Sequence, residues 1–303
     1  MKKQHPANPL QRLYARLGFG KSTSFPLRFP DARSWCSERI TDPWFRDHFE
    51  YASSVVEQWL RAETSMDGMT LLDFGCGDGI TDLALALKCQ PGKVIGVDIT
   101  AAFTQLAKTA RSQIGLKKLP GNLAFQKIDE GHRLAGSLEA NAIISWSAFE
   151  HIDRRFIDEI VADLFDLLPS GGLFFLQIEP LFYSPLGSHL GRFIKEPWAH
   201  LLWDERKLKQ AVRDCVDDIP ENEKELNFFT RTLDEYKSFI YGGFLKLNKL
   251  TANEINSILC AHGFKIIREE RSRVAMPAPD ILLPKFQEED LLTNEIRLLL
   301  RKP

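Results

Sequence analysis

"LLDFGCGDGI", residues 71–80, decides the fold. An apolar pair runs into a carboxylate, and three glycines then alternate at Gly75, Gly77 and Gly79. The run that enters it, "MTLLDFG" (69–75), is short, apolar and closed by glycine, which predicts a buried strand. The run that leaves it, "GITDLALALKC" (79–89), carries Ile80, Leu83, Ala84 and Leu87 at helical spacing. The glycines thus sit in the first strand-to-helix turn of a doubly wound sheet, where ligands bind at the carboxyl edge. Glycine suits that turn because the backbone must approach a ligand closely and take positive φ.

The alternation continues outward. Strands are predicted at "KVIGVDI" (93–99), "NLAFQKID" (122–129), "ANAIISWSAF" (140–149) and "GLFFLQIE" (172–179). Helices are predicted at "AAFTQLAKTARSQI" (101–114) and "DRRFIDEIVADLFDLL" (153–168), with Pro169, Gly171 and Gly172 as stop and turn signals. Five mostly apolar strands alternating with helices mean βαβ units and a parallel sheet buried on both faces. Upstream, residues 1–45 read as an irregular arm, and 46–63 place Phe49, Ala52, Val55, Val56 and Trp59 on one helical stripe. Residues 180–250 break the pattern with a long aromatic-rich interruption, the kind of connection that serves as a lid or substrate platform. The pattern resumes in a helix at 251–263, with Thr251 as N-cap and Gly263 as C-cap, then strands at "FKIIREERSR" and "NEIRLLLRKP".

The loop chemistry narrows the ligand. A dinucleotide loop wants GxGxxG, but Ile80 stands where the last glycine would be. Asp73 at the strand end would repel a pyrophosphate and suits a ligand with a cationic end. Asp98 ends the second strand, where an acid can take two ribose hydroxyls, and Asp129 ends the third, within reach of an adenine amino group. A partly cationic nucleoside without phosphates fits this set, and S-adenosylmethionine is one. A lone strand-end Asp is often only a turn cap. The joint spacing favours cofactor contact for Asp73 and Asp98 and leaves both readings open for Asp129 and Glu130.

On "LLDFGCGDG" (71–79), "VIGVDIT" (94–100), "FQKID" (125–129), "IISWSAFEHI" (143–152) and "LLPSGGLFFLQIE" (167–179), the chain resembles the class I S-adenosylmethionine-dependent methyltransferases of small-molecule type. The resemblance covers about residues 69–180. It implies an α/β fold with a doubly wound, Rossmann-like, mostly parallel sheet of seven strands, the last antiparallel, plus an N-terminal helical arm and a lid after strand five. The expected divisions are 1–65 for arm and helix, 66–180 for the cofactor core, 181–250 for the lid and 251–303 for completion of the sheet. The resemblance implies that Asp73, Gly75, Cys76 and Gly77 hold the methionine end and that Asp98 binds the ribose. It places Ile99, Asp129 and Glu130 around the adenine, and Ser145, Trp146 and Ser147 along the cofactor from strand four. S-adenosylhomocysteine would be the product.

Transfer from a sulfonium needs alignment and exclusion of water rather than a metal, and no HxxxH pattern or clustered His/Asp/Glu argues for one. A hydroxyl acceptor would be helped by a base, and histidine titrates near neutrality. The candidates are His151, just past strand four, and His189 and His200 in the insertion. Each is equally readable as a structural residue. Glu179, Tyr183, Arg192 and Trp198 are the candidate substrate contacts, against a packed lid whose aromatics are core.

The net charge of −2 and the pI near 6.4 give no basic surface for nucleic acid. "SAFEHI" replaces the [DN]PP[YF] element of nucleic-acid N-methylating enzymes, and no Cys near strands four or five could serve a C5 mechanism. The expected partner is a small, sugar-linked or lipid-linked acceptor with an O or N nucleophile. Five dispersed cysteines with no CxxC suggest free thiols. With neither a transmembrane run nor a signal-peptide core, a cytoplasmic protein is expected. Two alternatives are a non-catalytic subunit that binds the same cofactor and a nucleotide-dependent oxidoreductase, which Asp73 disfavours.

Overall fold

The computed structural model describes residues 40–217 and 232–303. Residues 1–39 of the predicted arm, with Cys36, and residues 218–231 of the predicted lid lie outside the described residues.

A seven-stranded sheet runs in the order β3-β2-β1-β4-β5-β7-β6. Its strands are β1 (Thr70–Phe74), β2 (Lys93–Asp98), β3 (Leu123–Lys127), β4 (Ala142–Trp146), β5 (Leu173–Ile178), β6 (Lys265–Arg273) and β7 (Thr293–Arg301). The first five are parallel to their neighbours, and β7 slots antiparallel between β5 and β6. The order reverses between β1 and β4, so the turns after β1, β2 and β4 open onto one crevice.

Adjacent strand residues point to opposite faces, and the sequence fills both with apolar groups. Leu72, Ile143, Phe174 and Leu298 pack on one face against α4 (Ile157–Leu167) and α8 (Ala252–Ala261). Leu71, Val94, Ile144, Phe175 and Leu299 pack on the other, against Trp59 and Leu60 of α1 and Leu85 of α2 (Ile80–Lys88). α1 runs unbroken through Pro43–Arg46, Asp47–Ala52 and Ser53–Arg61, with a wider turn in its middle piece. The Trp59 ring meets Phe175 edge-on at 5.4 Å. α3 (Leu106–Ile114) covers the β2–β3 side through Leu106 and Ala110.

Two predicted boundaries shift. β4 stops at Trp146, because Ser147 takes φ +47° and Phe149–His151 coil into a tight turn. The predicted helix at 153 begins as the turn Arg154–Phe156, with the Asp153 carboxylate accepting the Arg155 N–H, and becomes α-helical at Ile157.

The insertion folds on its own apolar cluster. Phe182, Leu190, Phe193, Tyr236 and Phe244 meet there, drawn from the segment after β5, from α6 (Glu205–Asp214) and from α7 (Leu233–Lys246). Between them, the short α5 (Ala199–Leu202) follows Trp198, which packs with Val274, Leu282 and Leu291 beside α9 (Glu288–Leu292). Among the described residues, no helix is long and apolar enough to cross a membrane.

The β3–β4 connection is tied down by one buried acid. The Asp163 carboxylate accepts the N–H groups of Leu134 at 2.6 Å and Ala135 at 3.0 Å. Asp163→Ala strands both donors and is expected to lower the unfolding free energy by about 2–3 kcal/mol in urea titrations; a change below about 0.5 kcal/mol would refute that role.

Candidate functional site

Gly75, Gly77 and Gly79 have φ of +85°, +54° and +75°. The N–H groups of Gly75 and Cys76 both donate to the Val97 carbonyl, at 2.9 and 3.1 Å, which folds the loop over the end of β2. A Cβ on Gly75 would lie 2.3 Å from the Ala148 Cβ, so the loop touches the turn after β4. A Cβ on Gly77 would meet nothing within 4 Å, so open space lies above that residue. Cys76 points inward at 8% exposure, packed on Gly96 of β2, and burial pushes its thiol well up.

Four carboxyl groups gather at this edge. Asp73 is 2% exposed and Asp82, one turn into α2, is fully buried. No donor reaches Asp73 Oδ1 or either Asp82 oxygen. Two facing carboxyl groups are both acceptors, so a shared proton is the only bond they can make. Burial is the main cause that raises both, with Asp82 next for Asp73, and Asp78 and Asp98 adding to each; Asp82 reaches about 7. Asp98 is half-buried and already engaged: Oδ2 accepts the Gly77 N–H at 2.9 Å, and Oδ1 accepts the Thr100 N–H and hydroxyl at 2.6 Å. It is therefore both the predicted ribose acid and a pin for the glycine loop. Ile99 beside it is 54% exposed, a free apolar surface at the crevice. Asp129 and Glu130 are exposed in the turn after β3, placed next to Ile99 by the Ile128 N–H bond to the Asp98 carbonyl at 2.9 Å.

Past β4 lies a polar row. Ser145 is fully buried, with no partner for its hydroxyl. The Trp146 ring lies 6.1 Å from Tyr51 and 6.3 Å from Phe175. The Ser147 hydroxyl donates to Gln177 Oε1 at 2.9 Å, and Gln177 Nε2 donates to Glu295 Oε1 at 3.0 Å. Arg297 Nε reaches the same Glu295 oxygen at 2.7 Å, and its Nη2 donates to the Tyr51 hydroxyl at 2.5 Å. Glu179 accepts from Asn294 at 2.8 Å, and burial, then Glu295, push it up to about 8. Sequence reasoning missed Asp82, Tyr51, Asn294, Glu295 and Arg297. For β7 the available signal was three polar residues in a strand that ends in "LLL".

The candidate histidines separate. The rings of His151 and His189 meet edge-on, 4.8 Å apart. Ligand atoms of Glu150, His151 and His189 all lie within 4.8 Å of one another, so the structure assembles a cluster where the sequence showed none. His151 is exposed at the crevice, and desolvation of its ring lowers it, with Asp98 opposing; burial lowers His189 to about 3 and lifts Glu150 to about 8. His200 lies apart, with Nε2 on the Phe182 carbonyl at 2.6 Å and its ring against Phe182 in the lid core. Trp198, expected as a substrate contact, is placed inside the packing. It is 2% exposed, and its indole N–H is taken by the Tyr183 and Leu291 carbonyls. Arg192 lies over the Tyr236 ring at 5.5 Å, and Tyr183 packs between Phe182 and Phe286. Tyr183 thus packs onto the insertion's own cluster, whereas Trp198 packs against the segment that leads into β7.

A family described as a methyltransferase domain matches residues 45–269. The chain belongs to this family, the class I S-adenosylmethionine-dependent methyltransferases. Curated relatives include ribosomal protein L11 methyltransferases of Burkholderia mallei and Burkholderia pseudomallei, 43% identical over 51 residues. That match spans 17% of this chain and 16% of theirs. Similar solved structures include magnesium protoporphyrin IX methyltransferase from Synechocystis with bound SAH, at 15% identity and TM-score 0.48 over 86% of this chain and 85% of that one. Another is a putative S-adenosylmethionine-dependent methyltransferase from Listeria monocytogenes, at 17% identity and TM-score 0.47 over 84% and 100%.

S-adenosylmethionine is the cofactor of this methyltransferase, and the edge fits it. The acids under the loop, which no donor satisfies, suit a cation, Gly77 leaves room, and Ile99 offers an apolar face. Gly77→Ala is expected to cost about 1–2 kcal/mol of stability from its left-handed φ and to abolish S-adenosylhomocysteine binding in calorimetry. Gly75→Ala adds the Ala148 clash, so its melting temperature should fall further. Equal melting temperatures would refute the loop packing described here.

The Asp73–Asp82 pair sets a second expectation. A carboxyl raised from 3.8 to about 7 keeps a proton that the unfolded chain has lost, so it withdraws stability as pH rises between those values. A cationic ligand favours the ionised pair, so S-adenosylmethionine affinity should rise as pH increases through about 7. Asp82→Asn should flatten that dependence, and an unchanged slope would exclude the pair as its source.

Proposed function

We propose that this chain transfers the methyl group of S-adenosylmethionine to an oxygen or nitrogen of a small, partly apolar acceptor, free or linked to a sugar or lipid. The observation that carries the reading is the continuity of the edge. The acid-lined glycine loop touches the turn after β4 through Gly75 and Ala148, and that turn presents His151 beside His189 of the insertion. S-adenosylmethionine supplies an activated methyl group on a sulfonium. The chain's share is to orient, enclose and manage a proton.

Asp73, the glycines, Asp98 and Ile99 are assigned to the cofactor, with Asp129 and Glu130 on its adenine side. Ser147 and Trp146, fixed by Gln177, Tyr51 and Phe175, form the wall between cofactor and acceptor. Orientation of this kind is worth roughly 7–11 kcal/mol of a bimolecular barrier. The segment after β5, with Glu179 at its start, and the lid cluster enclose the acceptor and keep water out. A hydroxyl acceptor gives up a proton, and the groups at that edge are Glu150, His151 and His189 rather than His200. The division into core 66–180, lid 181–250 and sheet completion 251–303 follows from the same reading.

Isothermal titration should show binding of S-adenosylmethionine and none of NADH, and Asp98→Ala should weaken it by at least about tenfold, the loss of roughly 1.5–3 kcal/mol for a hydrogen bond to a charged group. Release of S-adenosylhomocysteine from a panel of hydroxyl and amine acceptors would establish turnover. Binding of NADH instead, or full affinity in the Asp98 variant, would overturn the assignment.

A further inference from the structure

Among the described residues, Glu150 is a buried acid that no contact so far accounts for. It is 5% exposed in the turn after β4, and neither carboxylate oxygen has a hydrogen-bond partner. A buried, unpartnered carboxyl costs several kcal/mol, so such groups are rarely left without a cation or donor. Two histidines stand beside it. One ligand atom from each of Glu150, His151 and His189 lies within 4.8 Å of the other two. The three come from different segments, two from the turn after β4 and one from the insertion. His189 takes φ +58°, a conformation costly for a non-glycine residue.

The protonation pattern is that of ligands. The Pro180 carbonyl 3.3 Å from His189 Nε2 can only accept, so that nitrogen carries the proton and Nδ1 keeps its lone pair. A backbone carbonyl fixing the tautomer is the usual support of a metal-bound imidazole. Two further carboxyl groups lie close by, Asp98 acting on His151 and Glu179 on Glu150. The cation nearby, Lys249, lines the same recess as Glu150 and His189 but places its ammonium 5.3 Å from the Phe182 ring centroid.

We propose that Glu150, His151 and His189 bind a divalent transition-metal ion at the acceptor side of the crevice. Two imidazoles and one carboxylate select zinc, iron(II), cobalt or manganese over calcium or magnesium, and leave coordination positions open. Ligand atoms about 2.0–2.2 Å from a metal stand roughly 3.4 Å apart in a tetrahedral site, so side-chain rotations of about 1 Å close the set. The open positions face the acceptor, where they would hold a hydroxyl or a pair of hydroxyls; this part rests on the reading of that edge given above. In this arrangement the histidines act as ligands, not as bases.

The test uses the full chain, without an affinity tag and stripped with a chelator. Zinc titrated calorimetrically and counted by mass spectrometry should bind at one ion per chain, and cobalt at the same site should show visible d–d bands. Glu150→Gln and His189→Asn should each weaken zinc by more than about tenfold, while His200→Asn leaves it unchanged. Circular dichroism melts of all three variants check folding, and Glu150→Gln, which preserves shape, keeps the test open if His189→Asn does not fold. S-adenosylhomocysteine is titrated into the same samples. Intact cofactor binding with no zinc bound, or zinc bound equally by all variants, overturns the metal site alone. Loss of cofactor binding in the wild-type chain overturns the functional reading.

Discussion

The rest of the molecule is arranged around negative charge buried under a glycine loop. Asp73, Asp78, Asp82 and Asp98 converge where β1 and β2 end, and among the described residues no basic group meets Asp73 or Asp82. Charge of that kind is held only by protons, by backbone amides or by a cationic guest. The fold uses the first for Asp73 and Asp82, and the second for Asp98, whose bond to the Gly77 N–H shapes the loop. The third is what a sulfonium cofactor with an ammonium group brings. Since the loop rests on Ala148, its shape reaches the turn after β4, where the acceptor side begins.

The wall beyond that turn depends on an unusual strand. β7 arrives last in the chain but sits inside the sheet, between β5 and β6. Its apolar half, Ile296 and Leu298–Leu300, belongs to the core, and its start carries Asn294, Glu295 and Arg297 to the crevice. There Glu295 joins β5 through Gln177, β6 through Ser272, and Arg297, which reaches Tyr51 of α1. Distant parts of the chain thus lock one wall. A satisfied buried network of this kind rigidifies its surroundings. The lid is held differently, by a small apolar cluster and by Trp198 bonding two backbone carbonyls.

Much of this was legible in one dimension. The five βαβ strands, the glycine turn and the acids at strand ends follow from hydrophobic period and turn chemistry, which are local. Capping residues behaved as local signals should: Thr251 caps α8 as expected, and Glu254 completes a capping box with it. Less legible were the ends of apolar runs. Nothing in "IISWSAFEHI" marks Trp146 as the last strand residue, because the stop comes from Ser147 bonding Gln177 on a neighbouring strand. The same limit hid Asp82, which looks like a surface residue of an amphipathic helix and lies fully buried beneath Asp73.

By itself, the sequence determined the sheet, the family and its cofactor, since each rests on short-range patterns of polarity and glycine that need no partner to be read. Tertiary structure decided which polar residues became neighbours. It set His200 against Phe182 and Trp198 against Val274 and Leu291, and brought His189, 38 residues after His151, against Glu150 and His151. Contacts between segments far apart in sequence depend on the path of the insertion. That path follows from which apolar side chains of 181–250 find each other, and no periodicity records it.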